Sequence, residues 1–91
     1  MMRPRLLRKV RFRPHVKYFK PRGIPLRDLL EIELSTEEVE ALRLKNIEGL
    51  SQVECAHKMN TSQSTFQRIL SSAYKKVSEA IIRGKAIKIK D

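Results

Sequence analysis

Gln63, Ser64 and Gln67 are the residues of this 91-residue sequence whose types and spacing point most directly to chemistry. A glutamine amide carries a donor beside an acceptor and can engage adenine N6 and N7 together, while a serine hydroxyl donates or accepts. Positions 63 and 67 are four apart, so on a helix they share one face. Phe66, Ile69 and Leu70 interleave with them as the core-facing side and leave that polar face outward. Ser62, Thr65, Arg68, Ser71 and Lys75 flank it with hydroxyls and cations suited to phosphate, which fixes register but carries no base information. The chemistry implied is recognition of a nucleic acid.

Bond-making chemistry finds no comparable support. Ser62, Ser64, Ser71 and Ser72 read as caps and surface residues, with no base in motif spacing. Glu37, Glu38 and Glu40 cluster where a helix N-terminus favours negative charge. The three glycines, Gly23, Gly49 and Gly84, stand apart and form no phosphate-cradling loop. Cys55 and His57 lie two apart on a predicted helix, pointing roughly 200° from each other, so a shared metal ion is not expected. His15 beside Tyr18 reads as a packing or phosphate-contact pair. No enzyme activity, cofactor or metal is expected.

The elements that must position the polar face are legible from caps and periodicity. Ser35-Thr36-Glu37-Glu38 is a capping box and opens a helix over about 36–47, with Val39, Leu42 and Ile47 inward and Gly49 as its stop. Ser51-Gln52-Val53-Glu54 is a second box, opening a helix over about 51–59 with Val53, Ala56 and Met59 inward. Asn60 suits a left-handed turn position. Ser62 then caps a long helix over about 62–82, its apolar stripe running Phe66, Ile69, Leu70, Ala73, Val77, Ala80 and Ile81 to a stop at Gly84. Ser51 to Leu70 thus has the layout of a helix-turn-helix, whose second helix enters a DNA major groove.

The flanks are different in kind. Net charge is +10, and residues 1–27 hold ten Lys/Arg and no acid, so the entire excess precedes a balanced remainder. A block of one sign repels itself unless a polyanion neutralises it. All four prolines lie in this basic arm and forbid a long helix there. Asp28 to Glu31 can begin a short helical turn, and Glu31 to Leu34 alternates as a short extended piece. Lys9 to Arg13 and Lys85 to Asp91 alternate as strands do, and Val10 and Phe12 are expected to pair with Ile87 and Ile89. Tyr18-Phe19-Lys20-Pro21 can stack on single-stranded bases or lace the arm to the core with Phe19 buried; lacing is favoured because the chain has only five aromatic rings. Arg11, Arg13 and Lys20 join the phosphate-contacting set. Hydrophobic residues make up 41% and charged residues 33%, which suits a folded chain. A lone cysteine, the absence of an apolar leader and the absence of a membrane-length apolar run indicate a cytoplasmic protein.

From Ser35 to Ile82 the sequence resembles the DNA-binding region four of sigma factors, in the order of Ala41-Leu42-Arg43-Leu44, Glu48-Gly49-Leu50-Ser51, the helix-turn-helix and a long last helix. Over residues about 10 to 89 it resembles the family of predicted DNA-binding proteins known as domain of unknown function 134. The shared words are Tyr18-Phe19-Lys20-Pro21, Gly23-Ile24-Pro25-Leu26, Glu40-Ala41-Leu42-Arg43-Leu44, Glu48-Gly49-Leu50-Ser51-Gln52, Thr65-Phe66-x-Arg68-Ile69-Leu70 and Gly84-Lys85-Ala86-Ile87. Asn60 stands where such turns usually have Gly, and Cys55 where Ala is common. Relatives of this kind can carry an added domain after the helix-turn-helix; with the sequence ending at Asp91, effector sensing by such a domain is not expected.

The sequence therefore predicts a mainly α, sigma region-four-like helix-turn-helix protein, with a basic extended N-terminal arm over 1–27, a domain over 28–91 and short terminal β-strands. The expected partner is double-stranded DNA, in transcriptional regulation, with a second copy of the chain and RNA polymerase as further candidates and no membrane. An RNA-binding or ribosome-associated protein using the same arm is the alternative, and a polymerase-docking module without nucleic-acid preference is a third class.

Overall fold

The computed structural model describes residues 8–90, so Arg3 and Arg5 of the predicted arm lie outside the described residues. In chain order the elements are β1 (Tyr18–Phe19), a single 3-10 turn (Leu26–Asp28), β2 (Glu31–Ser35), α1 (Thr36–Leu42) running into a π-helical turn (Arg43–Ile47), α2 (Gln52–Lys58), α3 (Gln63–Arg83) and β3 (Ala86–Lys90). No described helix is long and apolar enough to cross a membrane.

Each helix begins and ends where backbone chemistry dictates. The Ser35 and Ser51 hydroxyls accept from the amides of Glu38 and Glu54, whose carboxylates accept in return from the two serine amides. Ser62 caps α3 through the Thr65 amide. Three residues stop the helices in the left-handed region: Gly49 (φ 71°), Asn60 (φ 57°) and Gly84 (φ 66°). After Asn60 and Gly84 the next amide reaches back five residues, Thr61 to the Ala56 carbonyl and Lys85 to Ala80, satisfying otherwise orphaned acceptors. After Gly49 the Leu50 amide reaches Leu44, one residue further, because the π turn has already widened the helix end.

That widening accounts for one departure from the sequence reading. Leu44 is buried, but Ile47, expected inward, is 78% exposed, since the wide turn rotates less per residue and sets the helical phase back. Val53 is also exposed; Cys55, Ala56 and Met59 fill the interior and half-buried Gln52 takes the flank. Ile81 is exposed while Ala73 and Ala80 face inward. The core comprises Ala41, Leu44, Cys55, Ala56, Met59, Phe66 and Leu70, with Leu42, Leu50 and Ile69 packed on it. Small residues at 41, 55 and 56 let the helices approach closely around Phe66.

The sheet has the order β1-β3-β2. Strand β3 pairs antiparallel with β1 (Tyr18 with Lys88, Phe19 with Ile87) and parallel with β2 (Ile32 with Ile87, Leu34 with Ile89). A parallel pair needs a long crossover, and here all three helices are that crossover. The expected pairing of Val10 and Phe12 with Ile87 and Ile89 is thus replaced: β3 is central, flanked by β2 along its length and by β1 at Ile87 and Lys88. Phe19 does lie on the sheet, but it is 53% exposed rather than buried.

The segment around Val10 is extended yet outside the sheet because its amides are committed elsewhere. Lys9 donates to the Met59 carbonyl at 3.1 Å, and Arg11 donates to Glu40 Oε2 at 3.1 Å. Glu40 is only 1% exposed. It also receives the Phe12 amide and a two-pronged grip from Arg43, Nε and Nη2 each at 3.0 Å. The Arg43 guanidinium lies 5.9 Å from the Phe12 ring centroid and reaches Glu48. Glu38 is a second buried carboxylate, bonded to the Ser35 amide, the Ser72 hydroxyl and Lys76 Nζ. These two acids, expected only as favourable charge at a helix N-terminus, join α1 to the arm and to α3.

Burial pushes both carboxyls up, but their donors pull them further down: Ser72, Ser35 and Lys76 for Glu38, and Arg43, Arg11 and Phe12 for Glu40. Both settle below the ordinary carboxylate range. A depressed folded-state pKa means stability that is present above the unfolded value and is lost as pH falls through the folded one. Thermal unfolding followed by circular dichroism should therefore be flat from neutral pH to about 5 and fall below about 4; an unchanged midpoint at pH 3 would contradict the assignment. Replacing Glu40 by Ala strands Arg43 and two amides and should cost about 3–5 kcal/mol in denaturant unfolding. At Asn60, Gly should be neutral or mildly stabilising and Ala should cost about 1 kcal/mol, because only the side chain resists the left-handed turn; equal stability of the two variants would refute that reading.

Candidate nucleic-acid interface

The α2–α3 connection is short and strongly specified. Met59 is fully buried, Asn60 makes the left-handed step, Thr61 closes back on α2, and Ser62 caps α3. With Phe66 and Leu70 buried and Ile69 half-buried, the rotation of α3 is fixed. Gln63, Ser64, Gln67, Arg68 and Ser71 are consequently exposed on its opposite side. The side chains of Gln63, Gln67 and Ser71 make no hydrogen bond among the described residues, so their donors and acceptors are available to a ligand.

Ser62 and Thr65 differ from these. The Ser62 hydroxyl accepts from the Thr65 amide, donates to Thr65 Oγ1 at 2.9 Å and lies 3.3 Å from Ser64 Oγ. Their polar groups are largely occupied in building the cap. Arg68 leans toward Thr65 Oγ1, at 3.5 Å, and remains exposed. Lys75 sits on the same outer side, about 10 Å beyond Arg68 along the axis at about 1.5 Å per residue. Arg11 and Arg13 are exposed in the arm, and the Arg11 backbone is tied to Glu40. Lys20 is not brought to this surface. It donates to the Pro21 carbonyl and lines a groove with Phe19, Ala80, Ile81 and Gly84, at the opposite end of α3.

Two cations escaped the sequence reading. Arg8 pairs with Glu37 at 2.9 Å and lines a shallow groove with Thr65, Arg68, Ile69 and Ser72. Lys9 is exposed beside the α2–α3 turn through its bond to Met59. Nothing in local spacing identifies them, since their partners are 29 and 50 positions away.

The electrostatics of this face are one-sided. Residues 63–78 contain Arg68, Lys75 and Lys76 and no acid. Of the acids nearest its first turns, Glu37 is paired with Arg8 and Glu38 with Lys76. The unpaired amides of the first turn of α3 add partial positive charge. Exposed Glu33 and Asp28 lie with the β2 strand and the turn preceding it.

The groups suited to covalent or metal chemistry are kept apart. Cys55 is wholly buried, with burial raising its thiol pKa, while His57 is exposed on the other side of α2. Among the described residues no group of three or more His, Cys, Asp or Glu side chains converges as a metal site would require.

Comparison with known proteins places this arrangement in a family. Residues 1–91 match the family described as Protein of unknown function DUF134. A UPF0251 protein of Halothermothrix orenii is 54% identical over 88 residues, covering 97% of this chain and 65% of the relative. UPF0251 proteins of Moorella thermoacetica and Desulforudis audaxviator are 53% and 54% identical over 89 residues, each covering 98% of this chain. This chain spans only 60% and 58% of those two relatives, so all three are substantially longer. No solved structure matches the chain. With the match running through α1, the α2–α3 pair and the sheet alike, the chain belongs to the DUF134 (UPF0251) family.

Proposed function

We propose that this protein binds double-stranded DNA in a sequence-dependent manner, with α2, the turn at Asn60 and α3 acting as a helix-turn-helix. The observation that carries the reading is the outer face of α3 over its first turns. It presents unpartnered amides and hydroxyls from Gln63, Gln67 and Ser71 without an acid, on a helix whose rotation is locked by buried Phe66 and Leu70. A plain solvent-facing helix would satisfy itself with mixed charge; this one keeps neutral hydrogen-bonding groups in the centre and cations at the margin.

In the proposed mode the N-terminal turns of α3 enter the major groove. Gln63 and Gln67 meet base edges, with adenine the best complement to an amide, and Ser64 supplies a donor or acceptor. Helix α2 crosses the backbone. Arg68, Lys75, Lys9, Arg11 and Arg13 neutralise phosphates along the flanks, setting register and supplying the salt-dependent part of the affinity. Within this proposal, the sequence resemblance of Ser35 to Ile82 to sigma factor region four supports a role in transcriptional regulation. One such helix reads few bases, so we further propose that two copies act on paired half-sites; nothing in the reading requires catalysis or a cofactor.

Selection of bound sites from random double-stranded DNA at near-physiological salt should return a defined motif. Gln63→Ala and Gln67→Ala should each cost about 1–3 kcal/mol on that motif and relax preference at one or two positions. By contrast, Arg68→Ala should weaken all sequences alike and reduce the slope of log affinity against log salt by about 1. Uniform binding with no motif, unchanged in the glutamine variants, would eliminate sequence-dependent DNA recognition and make structured RNA the next ligand to test.

A further inference from the structure

We propose that Glu40 is a positioning residue that latches the basic segment of residues 8–13 beside the α2–α3 turn, so that Lys9, Arg11 and Arg13 meet nucleic-acid phosphates as fixed cations rather than as a loose tail. This rests on the nucleic-acid reading above and adds to it how the arm is held. The sequence presents the arm as basic and extended. In the fold it is fastened at successive points: Arg8 Nη1 to Glu37 at 2.9 Å, the Lys9 amide to the Met59 carbonyl, and the Arg11 and Phe12 amides to Glu40.

The chemistry of Glu40 explains why the fastening holds. A carboxylate almost wholly removed from water is costly unless its lone pairs are filled. Arg43 supplies two of the donors, and the arm supplies the Arg11 and Phe12 amides. Lifting the arm would leave a buried charge half-satisfied, so the charge itself holds the arm down. Phe12, beneath the Arg43 guanidinium, seals the same joint. The path matters because Met59 directly precedes the turn into α3, and Arg8 shares a groove with Thr65 and Arg68. Cations held there do not lose chain entropy on meeting a phosphate, whereas a free tail must be ordered at the moment of binding.

Two measurements decide it. Hydrogen exchange of the wild-type protein without nucleic acid should show the Arg11 and Phe12 amides slowed at least tenfold relative to an unstructured chain; exchange at the unstructured rate would overturn the latch. The second is a double-mutant cycle on a short DNA duplex carrying the selected site, or a random duplex of equal length if no site emerges. Lys9→Ala/Arg11→Ala/Arg13→Ala should weaken binding and flatten the salt slope by about 3. Glu40→Gln alone should weaken binding several-fold, yet change nothing further when added to the triple variant. Equal losses in both backgrounds would reduce Glu40 to a merely structural role and overturn the proposal. Should Glu40→Gln fail to fold, Arg11→Pro is compared with Arg11→Ala: both lose the cation, but only proline removes the latching N–H, so only it should lose the additional affinity. Equal affinity of those two variants would likewise overturn it. Slowed exchange at Arg11 and Phe12 in a protein that binds neither DNA nor RNA would preserve the attachment while removing the nucleic-acid reading and the arm's role in it.

Discussion

Glu40 is the interaction on which the arrangement of this molecule turns. A carboxylate inside a small core is a liability unless donors surround it, and Arg43 alone cannot fill its lone pairs. The remaining donors come from the backbone of a segment nearly thirty residues earlier in the chain. The requirement to satisfy one charge thus dictates the course of residues 9–13, a segment with no secondary structure of its own. Glu38, two positions away on α1, does the same toward the other side, binding Ser72 and Lys76 of α3. One short helix thereby ties the arm and the long helix to a common frame.

Around that frame the helical ends are specified by local chemistry. Serines open α1, α2 and α3, and left-handed residues close them. Such ends fix where each helix starts and stops without fixing how the helices pack. Packing is set by Phe66, Met59 and Leu44 against small neighbours Ala41, Cys55 and Ala56. The consequence for α3 is rotational: with Phe66 and Leu70 committed to the core, Gln63 and Gln67 have only solvent to face.

Charge is segregated along with polarity. The acids closest to the first turns of α3 are each taken up by a specific cation, whereas Arg68, Lys75 and Lys9 carry no short ion pair among the described residues. Under the proposed nucleic-acid reading, such a surface would draw a polyanion at long range and offer neutral hydrogen-bonding groups at contact. Such a division suits a ligand whose backbone is charged and whose informative groups are not.

The caps, the helix extents and the polar face of α3 were determined by the sequence itself, because they depend on residues three or four apart whose interactions are local. Asn60 belongs with them: its tolerance of the left-handed region is a property of the residue. The exposure of Ile47 was not readable, since a π turn shifts phase without a local signature. The partner of β3 was decided only by the tertiary structure. Three segments alternate like strands, and local pattern cannot say which of them will find its amides free; Glu40 consumes those of Arg11 and Phe12, leaving Tyr18–Phe19 and Glu31–Ser35 to flank β3. The places of Arg8, Lys9 and Lys20 followed from that choice. Long-range pairing depends on which buried groups must be satisfied once the helices have packed, and that condition exists only in the folded chain.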